Sequence, residues 1–117
     1  MSQQQINALE RQREDAKAAI KRRDAILRLR NVPEFREYIL EGFAERECAR
    51  YLRESTDPAL NERQRADALA TAQAAGHLIR FLNTVVQMGN QAEDNMADLE
   101  EAIDDVRATD AAESEGQ

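Results

Sequence analysis

From Ala75 to Val106, apolar or small residues recur every three or four positions without a gap: Ala75, Leu78, Leu82, Val85, Gly89, Ala92, Met96, Leu99, Ile103 and Val106. That period belongs to one face of an α-helix. A helix running unbroken from Asn61 to Arg107 is about 70 Å long at 1.5 Å per residue. That is too long for a compact domain of 117 residues. Around Leu78 to Met88 the flanks are also apolar (Ile79, Phe81, Val86, Met88), which suits bundle packing. Beyond Gly89 the flanks become Glu93, Asn95 and Glu100, and only a narrow coiled-coil-like seam remains. Met88-Gly89-Asn90 is the expected place for a kink.

Two further helices precede this one. The first is expected over about 3–30, with Ile6, Leu9, Ala16, Ile20 and Leu27 on one heptad register and Arg13 and Arg23 filling the other seam positions. Asn31-Val32-Pro33-Glu34 reads as a stop and a start. Pro33 keeps Val32 out of the helical region, and Asn31 with Glu34 has capping-box spacing. The second helix is expected over about 33–54, with the stripe Phe35, Tyr38, Ile39, Phe43, Ala49 and Leu52. Four of the five aromatic residues lie here (Phe35, Tyr38, Phe43, Tyr51), which places the expected core around this helix. Gly42 within it predicts a close neighbour or a bend. Ser55-Thr56-Asp57-Pro58 is the clearest loop, and the third helix starts near Pro58 or Asn61.

The core that one chain can build is thin. Of the 49 nominally hydrophobic residues 20 are alanine, which buries little area. The expected architecture is all-α: a helical hairpin packed on the first part of the third helix, giving a core over 1–88. Residues 89–107 are expected to project as an acidic arm, and 108–117 to form a short disordered tail. The arm seam, with Met96, Leu99, Ile103 and Val106, together with Leu82 and Val85, is the expected protein-interaction surface.

Charge is segregated along the chain. Residues 1–30 carry eight basic and four acidic side chains, whereas residues 93–117 carry ten acidic side chains and only Arg107 as a base. Lys21, Arg22 and Arg23 are therefore expected to pair with Glu100, Glu101, Asp104 and Asp105, within a chain or between copies. With a net charge of -7 and no aromatic residue among the basic cluster, direct nucleic-acid binding is not expected.

No catalytic motif is present: no HExxH, no GxSxG, no phosphate-binding glycine loop and no CxxC pair. The single histidine, His77, reads as an ordinary helix residue. The single cysteine, Cys48, reads as a small packed thiol without a base to activate it, and it excludes an internal disulfide. No metal, cofactor or small-molecule substrate is expected, and neither is an enzyme. No stretch approaches the roughly 20 apolar residues of a membrane span. The polar start Met1-Ser2-Gln3-Gln4-Gln5 does not read as a secretory signal. Together these point to a protein made in a cytoplasm.

The segment Leu29-Arg30-Asn31-Val32-Pro33-Glu34-Phe35, followed by Ile39, Glu41-Gly42-Phe43, Glu47 and Arg50-Tyr51-Leu52, resembles a pattern in small helical proteins of tailed bacteriophages. The later Asp57-Pro58-Ala59 loop and the helix with His77-Leu78 and Phe81-Leu82 are similar to it as well. The likeness covers roughly residues 20–107. It implies a phage gene product made in the bacterial host cytoplasm and placed in the virion, a structural or assembly component without catalytic residues. The expected function is a non-enzymatic helical subunit that forms a homo-oligomer or binds a larger phage structural protein through apolar seams. The alternatives are a small acidic regulator of a basic host or phage protein, and an internal or scaffolding protein.

Overall fold

The computed structural model describes residues 2–116. The order of elements is α1 (Ser2–Arg30), a π-helix (Phe35–Glu47), α2 (Cys48–Glu54) and α3 (Glu62–Glu115). The chain is all-α, with no strand among the described residues, and the long third helix is continuous through Gly89. Two compact units share α1 and α3: one takes the residues up to Asp24 and those from Val85 on, the other takes Ala25–Thr84.

In the first unit the two helical segments run antiparallel. Arg107 donates to Glu10 near one end, and Arg23 donates to Glu93 near the other. Most of the α1 register that its heptads predict is covered: Ile6, Ala16 and Arg23 are buried, together with Ala19, and Leu9, Arg13 and Ile20 are half-buried, whereas Leu27 is 40% exposed. The facing seam holds Gly89 and Ile103, both buried, with Ala92, Met96, Leu99 and Val106 half-buried. Residues 89–107 therefore do not project as an arm. The α1 heptads that were matched to the second helix lie instead along the end of α3, and each narrow seam covers the other.

The acidic tail is also more regular than its polarity implies. α3 runs on to Glu115, so residues 108–115 are helical rather than disordered. Ala108, Ala111 and Ala112 favour helix, and no glycine or proline intervenes before Gly116.

In the second unit the turn after α1 is closed by the Asn31 N–H on the Arg28 carbonyl and the Val32 N–H on the Leu29 carbonyl, both at 3.0 Å. The expected Asn31–Glu34 capping box is not formed: Glu34 makes no side-chain capping bond, and Arg36 reaches back instead to the Arg30 carbonyl. A reciprocal capping pair stands at the start of α3. The Asn61 side-chain oxygen accepts from the Gln64 N–H at 2.8 Å, and the Gln64 side-chain oxygen accepts from the Asn61 N–H at 3.0 Å. Arg65 ties the preceding loop down by donating to the carbonyls of Asp57 and Leu60.

The segment 35–47 is a π-helix, a form in which each bond spans five residues and a turn takes more than four. This wider turn explains why the 3–4 stripe fails there. Phe35, Ile39 and Phe43, spaced by four, are half-buried, whereas Tyr38 between them is 65% exposed. Gly42 neither bends the chain nor meets another element. A Cβ there would lie 3.0 Å from the Glu37 carbonyl of its own helix, five residues back.

No residue of the π-helix or α2 is buried, so the core does not lie around the second helix. The buried residues of this unit are Ala68, Ala72, Ala75 and Leu82, all on α3. Three alanines at spacings of four and three bare the α3 backbone, and the Cys48 thiol donates to the Ala72 carbonyl across 3.5 Å. Close approach over small side chains, rather than aromatic burial, holds the π-helix and α2 to α3.

A stability comparison distinguishes this core from an aromatic one. Ile103→Ala, at a side chain only 1% exposed, should lower the free energy of unfolding by about 3 kcal/mol. Tyr38→Ala should change it by no more than about 0.5 kcal/mol. Urea melts of the two variants read the difference.

Candidate functional site

Met96, Leu99, Ile103 and Val106 are taken up by the antiparallel seam of the first unit, and Leu82 by the core of the second. Val85 is half-buried. As a group they serve packing inside the chain and do not form a free surface.

Of the residues expected to pair by charge, only Arg23 is engaged. Its side chain is 10% exposed and lies across Gly89. A Cβ at position 89 would overlap the Arg23 Cβ and stand 2.8 and 2.9 Å from its Cδ and Cγ. Beyond this crossing the guanidinium donates to the Asn90 side-chain oxygen at 3.0 Å, to Glu93, and to the Asp24 carboxylate at 3.0 Å. The bond to Glu93 and then that to Asp24 raise the Arg23 pKa, so the group stays charged throughout the working range. Its acidic partner on α3 is Glu93, seven residues or about two turns before the first of those expected from the sequence.

Lys21, Arg22, Glu100, Glu101, Asp104 and Asp105 are exposed, and none has a hydrogen bond or ion pair among the described residues. Four carboxylates form a line on α3: Asp94, Asp98, Glu101 and Asp105, at the 4-3-4 spacing that keeps one helical face. All four are exposed.

The second unit carries large apolar side chains outside its core. Val32, Tyr38, Leu52, Leu69 and Phe81 are all exposed, Phe81 at 60%. Phe81 follows Ala72 by nine residues, about two and a half helical turns, and so lies on the side of α3 away from the Cys48 contact. An exposed strip of α3 beside the Ala72 face holds an open depression lined by Gln73, Gly76, His77 and Arg80, all from the one helix. Nothing in the chain comes within 4 Å of where a Gly76 Cβ would be.

His77 is therefore an exposed helix residue, and Cys48 a half-buried thiol bonded to a backbone carbonyl. Among the described residues no three His, Cys, Asp or Glu side chains converge where one metal ion would sit. No helix among them is long and apolar enough to cross a membrane. Comparison of the chain with protein-family models, with curated proteins and with solved structures finds no match.

The sequence reading missed two of these features. The Arg23–Gly89 crossing had a signal, an arginine and a glycine each occupying an apolar seam position. The bare outward face around Gly76 had one too, a glycine without a turn or cap to require it. Gly89→Ala separates close approach from helix propensity. In an open helix this change gains about 1 kcal/mol. Here it should instead lower stability by about 2 kcal/mol, as overpacking does, and chemical unfolding measures the sign.

Proposed function

We propose that the chain is a non-enzymatic assembly subunit, a helical protein that works by associating with other protein surfaces in the particle of a tailed bacteriophage. One observation supports this above the others. The second unit buries alanines and one leucine, while Val32, Tyr38, Leu52, Leu69 and Phe81 remain outside. Large apolar side chains left on the surface of a small helical unit support a reading in which another protein covers some of them. The likeness of residues 20–107 to small helical phage proteins agrees with this setting. In this reading the chemistry of the chain is burial of apolar surface on assembly, with charge selecting the partner orientation.

Mass spectrometry of purified virions tests the reading. Peptides of this chain should be found in multiple copies per particle, and particles without it would overturn the proposal. Phe81→Ser should leave unfolding stability within about 0.5 kcal/mol yet reduce the copies incorporated.

A second reading draws on the line Asp94, Asp98, Glu101 and Asp105, which faces outward from an ordered helix. As an acidic regulator, the chain would lay this line in the basic groove of a host or phage protein. One-to-one binding that weakens steeply with salt, and that Asp98→Asn with Glu101→Gln weakens further, would favour it over the structural role.

A further inference from the structure

We propose that a second copy of this chain docks antiparallel on the outward face of α3 in the second unit, about a two-fold axis near Thr71. The inference rests on the assembly reading and names its partner and its surface.

The face is a straight line of side chains. Glu62, Ala66, Leu69, Gln73, Gly76 and Arg80 follow one another at spacings of three and four, which keeps them on one side of the helix. All six are exposed. Leu69 is 41% exposed. A helix-interior glycine on an exposed face costs helix stability relative to alanine. No intrachain neighbour explains the missing side chain at Gly76, because the space beside it is open. A glycine there admits the backbone of another helix at short range.

Charge indicates that the other helix is a copy. Glu62 and Arg80 are 18 residues apart, about five helical turns, and so they stand on the same line at opposite ends. Neither has a hydrogen bond or ion pair among the described residues. A two-fold axis across the midpoint, residue 71, sets Arg80 of each copy opposite Glu62 of the other. An isologous interface is self-complementary in this way, and a parallel arrangement would set like charge on like. The same axis places Gly76 opposite Ala66 of the second copy, small against small, at two symmetric points.

Sedimentation velocity of the full chain, across protein concentration and at low and high salt, tests the inference. A dimer is expected. Gly76→Leu enters open space in the single chain and should keep its circular dichroism, yet raise the dimer dissociation constant at least tenfold. Arg80→Glu and Glu62→Arg should each weaken the dimer at least tenfold, and the two together in one chain should restore it. A monomer at every concentration would overturn the inference, as would a dimer indifferent to Gly76→Leu and to the charge exchange. Virion incorporation is measured separately, so the assembly reading stands or falls on its own result.

Discussion

The fold depends on helix faces that are small where they meet. Ala68, Ala72 and Ala75 on α3 let the π-helix and α2 come close enough for the Cys48 thiol to reach a backbone carbonyl. Gly89 lets the stem of Arg23 cross α3. Small residues favour close approach and bury little area. The second unit therefore buries three alanines and Leu82 while several larger side chains stay outside. Tyr38, Leu52 and Phe81 remain on the surface.

The same constraint organises charge in the first unit. An arginine in an apolar seam is tolerated when its head reaches acceptors and its stem finds room. Gly89 gives the stem that room, and Asn90, Glu93 and Asp24 accept from the head. Arg107 on Glu10 fixes the opposite end of the register. The basic start and acidic end of the chain thus meet within one unit, while Lys21, Arg22 and the outer carboxylates of α3 stay in solvent.

Much of this was legible in the residues. Heptads in α1 and the 3–4 spacing of α3 gave both seams, because a long amphipathic helix must match its period whatever covers it. What covers each seam was not legible, since α1 can satisfy its stripe against either neighbour. Aromatic richness pointed to the second helix as the core, but a π-helix has a different period, and its rings Phe35 and Phe43 are only half-buried. Asn31–Glu34 and Asn61–Gln64 have the same capping spacing, yet only the second pair closes. Arg36, reaching back to the Arg30 carbonyl, holds the first turn instead. The association surface was sought along Met96 to Val106, where the flanks are polar. It is proposed instead on α3 along Glu62, Leu69, Gly76 and Arg80, a mostly polar line that the apolar period of the helix passes over.

Native-state hydrogen exchange tests most directly whether the acidic end of α3 is held by the seam with α1. The amides of residues 92–106 and those of 6–23 should exchange through one common opening, with matching free energies and matching denaturant dependence. Faster exchange at 92–106, with 6–23 remaining protected, would mean that the end of α3 stands free and that the seam described here does not hold it.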